Sequence, residues 1–246
     1  MNSRKYKAVI LDMGGVLIPG PADLHSKKGK KSEDLGKKAE SLQKIFKTLF
    51  SEDFSNHWHD LECGITSIQE FYPYFKTFYY SHHGEEYLGA IEIFSNHTIP
   101  GRPESTVKPI WFPVLKKIRE EGLKVAVLTN NFWIDSTRSE KTTPLDEKHY
   151  DIIFESCKLG MRKPNRDIYE HVLSELKIQP EEAIFIDDLI QNIEGANQVG
   201  LTTIHCTDID KTISSLEDIL EISLKNDNFE KEQLLEASKI TTCPAN

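Results

Sequence analysis

Short apolar runs that stop at polar residues punctuate this chain, and stretches of helical spacing separate them. The first run, Ala8-Val9-Ile10-Leu11, ends at Asp12 and is followed by Met13-Gly14-Gly15-Val16-Leu17. A run this short, apolar throughout and bounded by turn residues, predicts a parallel strand buried on both faces. Pro19-Gly20-Pro21 then breaks the pattern, and no strand-like run returns until about Pro100. Leu42, Ile45, Phe46, Leu49 and Phe50 recur at helical spacing inside that interval. A second, aromatic-rich segment runs from Ile68 to Tyr80. Residues 19–100 are therefore expected to form a helical module inserted after the first strand.

From Pro109 the pattern alternates. Val114, Leu115, Ile118 and Leu123 predict a helix closed by Gly122, and Lys124 to Leu128 predicts a strand ending in Thr129-Asn130-Asn131. Tyr150 to Phe154, Ala183 to Ile186 and Leu201 to His205 read as further strands. Between them lie helices carrying Ile168, Val172, Leu173 and Leu176, and Ile190, Ile193, Ala196 and Val199. Strands alternating with helices predict an α/β fold with a parallel sheet. The core is expected over 5–18 and 101–215, with an amphipathic helix and tail over 216–246.

In open α/β sheets ligands bind outside the carboxyl ends of the strands. Those ends present Asp12, Thr129, Lys163 by way of the loop Cys157 to Pro164, and the pair Asp187-Asp188. Adjacent acids after a buried strand repel unless a cation intervenes. Three carboxylates around a hard cation suit Mg²⁺, leaving positions for water and a phosphate oxygen. Asp12 is then placed to attack phosphorus and form an aspartyl-phosphate. Thr129, the following amides and Lys163 would hold the non-transferring oxygens.

Composition narrows the partners. The 246 residues carry 38% hydrophobic and 28% charged residues, the balance of a globular chain. A formal charge of −9 argues against nucleic acid as an obligatory partner. The cluster Lys27, Lys28, Lys30, Lys31, Lys37 and Lys38 reads as a solvated loop. No apolar run has transmembrane length, so no membrane partner is expected. Cys63, Cys157, Cys206 and Cys243 show no CxxC spacing, which fits reduced thiols in the cytoplasm. His57, His59, His82 and His83 lack the spacing and the companion ligands of a zinc site.

The four strand-end stretches resemble, in order and spacing over roughly residues 5 to 210, the haloacid dehalogenase-like (HAD) hydrolase superfamily. Asp12 stands in its first motif, Thr129 in its second, Lys163 in its third and Asp187-Asp188 in its fourth. Leu128-Thr129-Asn130, Glu155 to Pro164, Ile186-Asp187-Asp188 and Asn192 are similar to one branch. That branch holds the N-terminal domain of soluble epoxide hydrolase, that of multidomain acyl-CoA dehydrogenase family proteins, and bacterial sugar-phosphate phosphatases. Leu61-Glu62-Cys63-Gly64-Ile65-Thr66 is similar to a cap-helix segment of these relatives.

The resemblance implies a Rossmann-like core under an inserted α-helical cap, and a Mg²⁺-dependent phosphatase acting on a small phosphate ester. It also implies that Asp12 is nucleophile and metal ligand, that the Gly14 backbone carbonyl and Asp188 complete the protein ligands, and that Asp187 orients Lys163. Thr129, Asn130 and Lys163 are the implied phosphate-binding residues.

Gly14 departs from the pattern, because most of these phosphatases carry a second Asp there as general acid. Such help is worth about 10²–10⁴-fold, so its loss costs roughly 3–5 kcal/mol of barrier for an alkoxide leaving group. Two alternatives follow: a catalytically impaired protein that binds without turnover, and a metal-independent dehalogenase. The chain ends about 30 residues after the core, too short for a further hydrolase or dehydrogenase domain. A stand-alone protein is therefore expected.

Overall fold

The computed structural model describes residues 5–19, 40, 43–87, 107–142 and 145–225. Five parallel strands form its centre: β1 Ala8–Leu11, β2 Lys124–Thr129, β3 Ile152–Glu155, β4 Ala183–Asp187 and β5 Thr202–His205. Their spatial order is β3-β2-β1-β4-β5, which puts β1 in the middle of the sheet. This is the parallel sheet that the alternation predicts and the Rossmann-like core that the resemblance implies.

The strands' period of two divides the core between two faces. Val9, Leu11, Val125, Val127, Ile184 and Ile186 pack with Trp111, Val114, Leu115 and Ile118 of α4 (Trp111–Glu120) and with Ile213, Leu216 and Leu220 of α8 (Ile209–Leu220). Ala8, Ile10, Ala126, Leu128 and Phe185 face the other way. They meet Ile168, Tyr169, Val172, Leu173 and Leu176 of α6 (Arg166–Leu176), and Ile193 and Ala196 of α7 (Ile190–Val199). Because both faces are covered, β1, β4 and, after Lys124, β2 carry no polar position until they end, whereas the edge strand β5 keeps Thr202 and Thr203 half-buried.

The helices between β1 and α4 keep a core of their own. Stretch 43–49 is helical (α1), followed by α2 Ser55–Glu62 and α3 Ile68–His83. Ile45, Leu49, Phe54, Leu61, Ile68, Phe71, Phe75, Tyr79 and Tyr87 form their cluster, separate from the two beneath them. Tyr74 and Tyr80, on the same aromatic-rich segment, are exposed. The cap histidines serve this packing: His57 stacks on Tyr74 at 5.5 Å, and His83 Nε2 lies 3.0 Å from Thr48 Oγ1.

Element ends differ from the sequence pattern by a few residues. Thr129 and Asp187 belong to their strands, and β3 begins at Ile152, two residues later than its apolar run. The last helix begins at Ile209, well before Leu216, because the Asp208 side chain accepts from Lys211 N at 2.9 Å and caps it. It packs against the sheet as part of the core. The lysine cluster at 27–38 and Cys243 lie outside the described residues. Among the described residues no helix is long and apolar enough to cross a membrane.

Candidate active site

β1 ends one residue before Asp12, whose N–H still donates to Ile186 O at 2.8 Å, so the carboxylate leaves the sheet from its middle. The turn behind it is shaped by two glycines with opposite constraints. Gly15 has φ +74°, and a Cβ there would lie 2.2 Å from Asp188 Oδ2. Only glycine lets the loop pass so close to that acid. At Gly14 a Cβ would lie 3.9 Å from Asp12 Oδ2, an ordinary contact, so the backbone there does not demand glycine. Lys108 Nζ donates to Gly15 O at 2.9 Å and the Trp111 indole to Val16 O at 2.9 Å, pinning the loop to α4.

Lys163 comes in from the loop between α5 (Ser156–Leu159) and α6, its side chain only 1% exposed. Its Nζ lies 2.5 Å from Asp12 Oδ1 and 2.6 Å from Asp187 Oδ2. Burial opposes the ammonium, but the two carboxylates outweigh it and hold the lysine above its usual range. Lys163 therefore remains a cation.

Asp12, Asp187 and Asp188 offer ligand atoms all within 4.8 Å of one another, the one such acidic, histidine or cysteine group among the described residues. Burial, then the neighbouring Asp187, push Asp12 up to about 7 while Lys163 pulls it down. Burial and Asp187 likewise raise Asp188 to about 6. Burial and the repulsion among three carboxylates that face one ammonium together favour the protonated acids. A divalent cation is the chemistry that neutralises these carboxylates.

The three acids are not equivalent. Asp187 is fully buried and accepts from Lys163 Nζ, from Leu189 N at 2.8 Å and from Asn192 Nδ2 at 3.0 and 3.1 Å. Both its oxygens are occupied, which leaves Asp12 and Asp188 as the acids free to meet a cation.

Thr129, at the end of β2, is buried, and its hydroxyl donates to Asn130 O at 3.4 Å. The Asn130 side chain turns away to other work. Its Nδ2 donates to Lys163 O and to Glu62 Oε1, both at 3.0 Å, and its Oδ1 accepts from Lys163 N at 3.0 Å. Only its main chain is left to face a substrate. Glu62, on the cap helix α2, is buried and also pairs with Arg162 Nε. In the sequence, Leu61 to Thr66 is marked only by its similarity to a cap-helix segment, which assigns Glu62 no role. The signal was an acid just before Cys63-Gly64.

A family model for haloacid dehalogenase-like hydrolases matches residues 6–200. The chain is 31% identical over 227 residues to acyl-CoA dehydrogenase family member 10 of Mus musculus, covering 91% of this chain and 20% of that protein. It therefore spans about a fifth of that relative's length. It is 28% identical over 223 residues to a sesquiterpene phosphatase of Aspergillus oryzae, covering 87% of this chain and 97% of that one. A HAD-like family hydrolase from Porphyromonas gingivalis shares the fold at TM-score 0.59 and 23% identity, over 89% of this chain and 100% of that chain. With the family model spanning all four strand-end motifs, the chain belongs to the haloacid dehalogenase-like hydrolases.

Proposed function

We propose that this protein is a Mg²⁺-dependent phosphatase that hydrolyses a small phosphate ester through an aspartyl-phosphate on Asp12. One observation carries the reading: Asp12 and the fully buried Asp187 share Lys163, and the half-buried Asp188 lies within 4.8 Å of both, so three carboxylates face a single ammonium. The phosphatase name of the Aspergillus relative, matched over nearly its whole length, supports it.

In this reading Asp12, Asp188 and the Gly14 backbone carbonyl hold the cation. When bound, Mg²⁺ offsets the repulsion between an anionic nucleophile and an anionic phosphate. The Asp12 carboxylate attacks phosphorus, the P–O bond to the leaving group breaks, and water later cleaves the acyl-phosphate to restore Asp12. Lys163, the Thr129 hydroxyl and the Asn130 main chain stabilise the non-transferring oxygens. Asp187, saturated with donors, keeps the Lys163 ammonium on the Asp12 side.

Because position 14 carries no acid, the leaving oxygen departs without protein help. Substrates whose leaving groups are stable as anions should turn over fastest, and alkyl phosphates slowly.

Phosphate release with Mg²⁺ from p-nitrophenyl phosphate and from an alkyl phosphate tests this. Asp12→Asn should abolish release, and Gly14→Asp, whose Cβ meets only an ordinary contact, should raise the alkyl rate by about 10²–10⁴-fold. A silent wild type with an active Gly14→Asp would instead favour a protein that binds without turnover. Haloacid hydrolysis surviving EDTA would favour the dehalogenase.

A further inference from the structure

The cap supplies a buried acid that the chemistry above does not use. Glu62 is the last residue of α2, its side chain 7% exposed, and no other acid of the cap is buried among the described residues. Such burial needs partners. One is Arg162, whose Nε meets Glu62 Oε2. The other is Asn130, whose Nδ2 meets Glu62 Oε1 at 3.0 Å.

Asn130 is itself a bracket. It takes Lys163 N–H on Oδ1 and gives Nδ2 to Lys163 O, closing on both polar groups of that residue's backbone. The order of its two amide atoms follows from the partners: Nδ2 faces two acceptors and Oδ1 a donor. Glu62 thus touches the side chain of residue 162 and, through Asn130, grips the main chain of residue 163.

The end of α2 is fixed to the same piece of core. The Ser156 hydroxyl donates to Glu62 O at 2.5 Å. Gly64, with φ +68°, sits so close that a Cβ would lie 2.2 Å from Cys157 O. Glu62 holds its place only while the cap is seated on the segment that leads to Lys163.

We propose that Glu62 is a positioning residue by which the seated cap fixes the backbone of Lys163, and so the distance of its ammonium from Asp12. The proposal rests on the phosphatase reading for its consequence in turnover, though not for its mechanics. Lys163 Nζ lies within hydrogen-bond reach of two carboxylates, and a displacement of about 1 Å at such a group costs about 10²-fold in rate. Lifting the cap frees Asn130 and loosens Lys163, so the cleft is competent only when closed over the substrate.

The test is a double-mutant cycle on p-nitrophenyl phosphate hydrolysis with Mg²⁺, using Glu62→Ala, Asn130→Ala and the double variant. Each single change should lower kcat by about 10²-fold with little change in KM, and the double should be no worse than either. Glu62→Gln, which keeps an oxygen for Asn130 but loses the charge facing Arg162, should recover most of the loss. Amide exchange at Lys163 reads the bracket without turnover: Glu62→Ala should speed it at least about tenfold and leave β1 amides unchanged. Additive losses, wild-type kcat in Glu62→Ala, or unchanged exchange at Lys163 would overturn the proposal. A wild type that releases no phosphate sinks the phosphatase reading alone, and the exchange measurement still decides the role of Glu62.

Discussion

At the residue scale the two glycines after Asp12 make opposite statements. Gly15 is demanded by its left-handed backbone and by the Asp188 carboxylate pressed against it, whereas at Gly14 a Cβ would meet only an ordinary contact. Gly15→Ala should therefore displace Asp188, and thermal unfolding with and without Mg²⁺ should show the cation's stabilisation lost. The raised acids set the pH behaviour. Asp12 and Asp188, at about 7 and about 6 in the metal-free site, hold protons that the unfolded chain releases near 3.8. The folded state then binds more protons than the unfolded state between about pH 4 and 7, so metal-free stability should fall as pH rises through that window. Mg²⁺ competes with those protons, so its affinity should rise with pH over the same range and its binding should release protons near pH 6. Calorimetry in two buffers of different ionisation heat checks this, and proton-independent binding would refute it.

At the scale of elements, local chemistry places each functional group at the end of something regular. The cap helix α3 opens with a reciprocal capping box: Glu70 N donates to Ser67 Oγ at 3.2 Å, and Ser67 N to Glu70 Oε2 at 2.8 Å. Ser67 N–H and its hydroxyl hold the Glu70 carboxyl below its usual range. Ser67→Ala should cost about 1 kcal/mol, read from denaturant unfolding. At the other edge Glu155, on β3, is buried yet held below its usual range, because Lys158 and Lys141 outweigh the burial that pushes it up. The stability it contributes is present above the unfolded carboxylate range and is lost as pH falls through its lowered folded value. Strand ends were legible because an apolar run can stop only where polar groups find partners. The start of α8 was not, since Asp208 caps it immediately after a strand and the apolar spacing alone begins too late to mark it.

At the scale of the molecule, the helices between β1 and α4 and the sheet have separate buried clusters, and they meet through hydrogen bonds and through Phe132, whose ring lies 5.3 Å from that of Trp58. Ile68 N donates to Trp133 O at 2.8 Å, the Trp133 indole to Cys157 O at 3.0 Å, and Arg138 reaches Gly64 O and Ile65 O. Arg138→Ala should speed amide exchange over 64–68 while the five strands stay protected, because the bonds it removes are to the Gly64 and Ile65 carbonyls and the buried clusters of the sheet are not opened. Equal loss of protection in β1 would show that cap and core open as one unit.

By itself the sequence determined the parallel sheet and the polar stops of its strands at Asp12, Thr129 and Asp187, because a short apolar run and the polar residue that ends it are local properties. The tertiary structure alone decided how those groups divide the work. Asp187 spends its oxygens on Lys163, Leu189 and Asn192, the Asn130 side chain serves the Lys163 backbone, and Glu62 joins from the cap. Glu62 lies 68 positions from Asn130 and 100 from Arg162, and no spacing rule reaches across such intervals. Only the folded chain, with the cost of burying unpaired charge, selects those partners.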